Sequence, residues 1–140
     1  MCTRFSIGNL VLKPGTLVDC WLDGRPQRFV WAGFATTEKM HYWTKQRGGI
    51  LLDVPAERFA ERSQRDARLI WGDVPAQHVI RGLLDPNEGR PLLKIVTRAS
   101  HADELEQYEH PRMPVIEAPL YSATLIEPTP PSPSPQGELF

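Results

Sequence analysis

Thr16-Leu-Val-Asp-Cys-Trp-Leu22 runs into Asp23-Gly24, and Gln27-Arg-Phe-Val-Trp-Ala-Gly-Phe34 leads back. The first segment alternates apolar and polar residues as a half-buried strand does, and Asp-Gly is the dipeptide of a tight two-residue hairpin turn. The second segment supplies core mass through Phe29, Val30, Trp31 and Phe34. A hairpin this early predicts a fold of antiparallel strands.

The flanks repeat the pattern. Cys2 to Ile7 reads as a short strand and Asn9 to Gly15 as a loop ending in the turn signal Lys13-Pro14-Gly15. Thr36 to Gln46 fits neither period. Its Met40, Tyr42 and Trp43 stand among basic residues, a base-stacking surface in one reading and buried core aromatics in the commoner one. Gly49 to Val54 is a strand. Pro55 suits a first helical turn, so Ala56 to Gln64 is predicted as a short polar helix. Strands follow at Arg68–Gly72, Gln77–Leu84 and Leu92–Thr97, the last two separated by the turn Asp85-Pro-Asn-Glu-Gly89. Ser100 can cap a helix from His101 to about Glu109, with Asp103 in the capping-box position. Pro111 ends it, and strands are expected at Met113–Ile116 and Leu120–Ile126. The sum is an α+β class: a mostly antiparallel, barrel-like β-sheet of short strands with a few short helices.

The chain has 140 residues, enough for one core, with a net charge of −1 and hence no global basic field. Twelve of its sixteen basic residues are arginine, which prefers planar contacts with phosphate, although a GC-rich genome also produces arginine. No apolar run has transmembrane length and no signal-peptide core is visible, so the expectation is a cytoplasmic protein. In a reducing compartment Cys2 and Cys20 stay unbridged. Neither zinc-type Cys/His spacing nor a phosphate-cradling glycine loop appears, so no metal and no nucleotide cofactor is expected. The domain is placed at residues 1–126. Residues 127–140 form a tail in which Pro128 to Pro135 reads as a polyproline II spacer.

The reactive chemistry is concentrated at the start. Removal of Met1 would leave Cys2 with an amine of pKa about 8 beside a thiol of pKa about 8.5. Such an aminothiol condenses with an aldehyde to a thiazolidine, or attacks an acyl carbon. The plainer alternative is a small residue at a frayed terminus.

Met1-Cys-Thr-Arg-Phe5 resembles the Met-Cys-Gly-Arg-Phe start of the SOS response-associated peptidase (SRAP) family. In the same order, Asn9–Val18 is similar to its Tyr-Asn-Val-Ala-Pro-Gly-Thr loop, and Phe29–Phe34 to its Trp-Gly strand. Leu52–Glu57 lies where the family has Asn-Ala-Arg-x-Glu-Thr. Ile95–Thr97 is similar to its Ile-Thr-Thr, and His110–Val115 to its His-x-Arg-Met-Pro-Val. The resemblance spans about residues 1–118 of a chain shorter than typical members. It implies recognition of abasic sites in single-stranded DNA by a covalent thiazolidine through Cys2. His110 would be the acid/base that opens the sugar, and Arg4 and Arg112 would be DNA-contacting residues. Asp53 would replace an asparagine that positions the cysteine. Thr3 replaces a glycine. The glutamate of the family's Gly-Phe/Trp-Tyr/Phe-Glu-Trp motif has no clear counterpart, Asp73 being the one acid between Arg68 and His78. Two alternatives stay open: a non-catalytic relative that holds DNA or a clamp, and a cysteine-type peptidase using Cys2 with His110 as base.

The final Gln136-Gly-Glu-Leu139-Phe140 resembles the bacterial sliding-clamp-binding peptide, with Gln136, Leu139 and Phe140 as its anchors. The implied partners are therefore abasic single-stranded DNA and the clamp, without a membrane.

Overall fold

A computed structural model describes residues 2–121, with side chains from Arg4 onward. Two sheets are built from β1 (Cys2–Ile7), β2 (Leu10–Leu12), β3 (Leu17–Leu22), β4 (Arg25–Thr36), β5 (Ile50–Val54), β6 (Arg58–Arg62), β7 (Leu69–Asp73), β8 (Val79–Asp85), β9 (Leu92–Ala99), β10 (Arg112–Pro114) and β11 (Ile116–Glu117). The α-helix is α1, Ala102–Tyr108. The protein is thus mostly β-sheet with few helices, consistent with the α+β class.

The β3–β4 hairpin forms as its turn residues require: Asp23 and Gly24 both have positive φ, 53° and 75°. From it the larger sheet runs β10-β9-β4-β3-β5-β8-β11, and a further β8–β9 pairing closes β9, β4, β3, β5 and β8 into a ring. All pairs in the ring are antiparallel except β4 with β9. Register slips between Trp31 and Phe34 on β4, where Gly33 has φ +100°. A side chain at Gly33 would also press on the Lys94 ammonium, which donates to the Ala32 carbonyl at 2.7 Å.

The smaller sheet, β2-β1-β6-β7, packs through an aromatic series. Trp31 of the ring stacks on Phe5 of β1 at 4.6 Å between centroids. Phe5 stands opposite Phe59 of β6, whose ring lies 5.5 Å from that of Tyr108 on α1. Phe5 and Trp31 are fully buried, so the series forms the centre of the core. Gly72 on β7 makes room for it, since a Cβ there would overlap the Tyr108 hydroxyl and the Phe59 ring.

Several expectations fail for physical reasons. Ala56–Gln64 is not a helix; Arg58–Arg62 is β6, paired on both sides with β1 and β7. Phe59, Ala60 and Glu61 are all buried there, while Arg58 and Arg62 at the ends are exposed, so the polar composition hid a buried centre. The Asn9–Gly15 loop contains β2. Thr36–Gln46 becomes a 3-10 turn, Thr37–Lys39, and a π-helical turn, Tyr42–Gln46, neither with a buried residue. Its aromatics are therefore not core residues. The helix cap is His101 rather than Ser100, and Glu104 rather than Asp103 closes the capping box, accepting from the His101 N–H at 2.8 Å. Leu120 and Tyr121 are not in a strand. The remainder of that expected strand, the proline spacer, and Gln136, Leu139 and Phe140 lie outside the described residues. Among the described residues no helix is long and apolar enough to cross a membrane.

Candidate functional site

Antiparallel pairing of β1 with β6 sets the backbone of Cys2 opposite Glu61, after a register shift that leaves Arg4 opposite Ala60. Glu61 has no exposed surface. Burial pushes its carboxyl up to about 7, so protonated and ionised forms coexist near neutral pH. A carboxyl held in that range can give or take a proton, and such perturbed groups concentrate at functional sites.

The second group arrives from α1. The helix ends at Glu109 in the left-handed conformation, φ 54°, and Pro111 prevents its continuation. Three bonds pin this end to neighbouring segments. The Gln64 N–H donates to the Glu109 carbonyl at 2.9 Å, Ser63 Oγ donates to Glu109 Oε1 at 2.6 Å, and Ser100 Oγ donates to the His110 carbonyl at 2.7 Å. Since Ser63 and Gln64 directly follow β6, these bonds register the helix end against Glu61. The His110 side chain is 10% exposed, with Nδ1 4.0 Å from Glu61 Oε1. Nδ1 also accepts the Arg112 N–H at 3.0 Å. A backbone N–H can only donate, so this contact assigns the proton of the neutral ring to Nε2. On protonation Nδ1 would turn donor, with the Arg112 carbonyl at 3.2 Å and Glu61 as acceptors.

No family model, curated protein or solved structure matches this chain significantly.

The expected site residues divide. Cys2 and Arg4 stand on β1 opposite Glu61 and Ala60, and His110, with the Arg112 N–H on its ring, reaches Glu61 from the turn after α1. The Cys2 side chain lies outside the described residues. Arg4 is half-buried. Arg112 makes a two-pronged ion pair with Glu38, both N–O distances 3.0 Å, and Nη2 also donates to the Thr97 carbonyl at 2.8 Å.

Asp53 is not brought to His110 in this way. It lies fully buried on β5, where its carboxylate is taken up by the Arg81 guanidinium of β8 and the Leu120 N–H. Arg81 also donates to Glu117 at 2.6 Å and to the carbonyls of Leu52 and Ala118 at 2.9 Å each. With every guanidinium nitrogen bonded, the pair ties β11 and the residues after it to the ring. Asp73, the acid considered for the missing glutamate, is 86% exposed at its side chain and lies 3.4 Å from Arg58. Glu61 is the acid the sequence reading passed over. Its signal was an acid two residues after Phe59, in a segment short enough to be a strand.

Cys20 is free and fully buried, and desolvation pushes its thiol up to about 12, which leaves it inert. No group of three His, Cys, Asp or Glu side chains among the described residues could hold a metal ion.

Proposed function

We propose that the chain is a shortened SRAP-like protein that captures abasic sites in single-stranded DNA through Cys2, once Met1 has been removed. The observation that carries this reading is the pairing of Glu61 with Cys2 across β1 and β6 and with His110 across 4.0 Å. Arg58-Phe59-Ala60-Glu61-Arg62 also shares Phe and Glu, at the same spacing, with the family motif that had no counterpart. The closed ring of five strands is compatible with the barrel-like architecture such a protein would have.

The chemistry follows from the groups present. An abasic sugar is mostly a closed hemiacetal. Proton transfer to its ring oxygen, by His110 or by neutral Glu61, exposes the C1′ aldehyde. The Cys2 amine adds to C1′. Loss of water from the carbinolamine, with a proton supplied by the Glu61 carboxyl, gives an imine. The Cys2 thiolate then closes on the imine carbon and the nitrogen takes a proton, so aldehyde and aminothiol become thiazolidine and one water. A missing base gives the protein no sequence to read, so affinity would come from phosphates through Arg4 and Arg112.

The test is a denaturing gel of Met-processed protein incubated with an oligonucleotide carrying one natural abasic site. A shifted band that disappears in Cys2→Ala and forms slowly in Glu61→Gln is expected. A band indifferent to Cys2, or none, would reject the reading. Hydrolysis of a peptide instead would point to the cysteine-type peptidase.

A further inference from the structure

Glu38 and Arg112 are 74 residues apart in the chain, yet the carboxylate caps the guanidinium fork with both oxygens. Arg112 has a built seat. It is 21% exposed at its side chain, and Nη2 is anchored to the carbonyl and hydroxyl of buried Thr97 at 2.8 and 3.2 Å. Its Nε is buried and makes no hydrogen bond to the described residues. The seat is therefore fixed by Thr97. Glu38 is the opposite: 58% exposed at its side chain, on a 3-10 turn that buries no residue. The Arg112 hydrogen bond holds Glu38 down at about 2, so it is an anion at any physiological pH. An ion pair open to water contributes little net stability, because water and salt compete with it. Two oxygens presented to an arginine fork are also how a phosphodiester binds arginine.

We infer that Glu38 is a displaceable stand-in for a DNA phosphate, occupying the seat of Arg112 and Thr97 until a phosphodiester takes its place. The inference rests on the single-stranded-DNA reading above and adds a specificity-determining residue to it. Glu38 sets a threshold: strands that offer a phosphate at that position while also engaging the Glu61–His110 site displace it, and loosely held anions do not.

The experiment is a double-mutant cycle on Met-processed full-length protein. The probe is a single-stranded oligonucleotide with a tetrahydrofuran abasic analogue, which cannot ring-open, read by fluorescence anisotropy across salt. Glu38→Gln should tighten Kd by about threefold at low salt. With one more phosphate neutralised on a single strand, the log–log salt slope should steepen by about 0.7, so the gain shrinks about 2.6-fold from about 50 to about 200 mM salt. The gain should vanish in an Arg112→Gln background and fall in Arg112→Lys, which keeps the charge but loses the fork. Thermal melts establish that each variant is folded, and Glu106→Gln, an exposed acid on α1, controls for net charge. An unchanged or weaker Kd in Glu38→Gln, a gain that persists without Arg112, or an equal gain in Glu106→Gln overturns the inference. The crosslinking reading fails separately: Arg112-dependent tightening with no Cys2-dependent band on natural abasic DNA would keep the Glu38 gate and discard the covalent chemistry.

Discussion

Glu61 Oε1 and His110 Nδ1 lie 4.0 Å apart in the interior, one on a strand buried from both sides and the other just past a helix end. At that separation no direct hydrogen bond joins the two atoms.

This arrangement has a cost in stability that can be measured. Glu61 titrates at about 7 when folded, against an ordinary value of 4.5. A carboxyl with a raised folded pKa is neutral in both states at low pH, and it destabilises increasingly as pH rises from the unfolded toward the folded value. Glu61→Gln should therefore match wild type in urea at pH 4 and exceed it at pH 8, by up to about 3 kcal/mol. A pH-independent difference would contradict the assignment. The same variant should lose most of the crosslinking rate, a gain in stability joined to a loss in function.

Asp53 predicts the reverse pairing. Asp53→Ala removes the buried partner of the Arg81 guanidinium and leaves it the half-exposed Glu117, so the cost should fall below the about 3–5 kcal/mol of a fully unpaired buried charge. Chemical denaturation should show the lowered midpoint. Crosslinking per folded molecule should stay near wild type, because the Asp53 carboxylate braces β5 against β8 through Arg81 and bonds the Leu120 N–H.

The position of His110 depends on α1 docking over Gly72. Gly72→Ala inserts a Cβ that would sit 2.7 Å from the Phe59 ring and overlap the Tyr108 hydroxyl. Overpacking of this kind costs about 1–3 kcal/mol. Tyr108→Phe added to Gly72→Ala should recover part of the loss, whereas Tyr108→Phe alone should not stabilise. Additive effects in the cycle would mean that the two residues do not meet.

Cys20 gives a separate check on the fold. With its thiol pushed up to about 12 and its Sγ directed at the Val18 carbonyl 3.4 Å away, it should resist alkylation in the native protein. Peptide mapping after iodoacetamide should find the Cys20 adduct only above the urea midpoint. Rapid native labelling at Cys20 would place β3 elsewhere.

Much of the β framework could be read from short stretches. Asp23-Gly24 accepts positive φ at both positions, so the hairpin around it is a local property of two residues. Pro111 and the residues before it ended α1 near where they should for the same local reason. The segment at Arg58–Arg62 could not be read in this way. Pro55 and a polar composition favoured a helix, and only pairing with β1 on one side and β7 on the other made it a strand.

The sequence by itself determined the antiparallel hairpin, the helix end before His110, and a candidate nucleophile at Cys2, since backbone preference and bond chemistry belong to the residues themselves. Tertiary structure decided which acid is set opposite the Cys2 backbone, and which acids are not. Glu61, Asp53 and Asp73 are chemically alike. Desolvation raises the pKa of the first, Arg81 pairs with the second, and the third stays exposed at the surface. Those surroundings are assembled from segments far apart in the chain, and no window of neighbouring residues contains them.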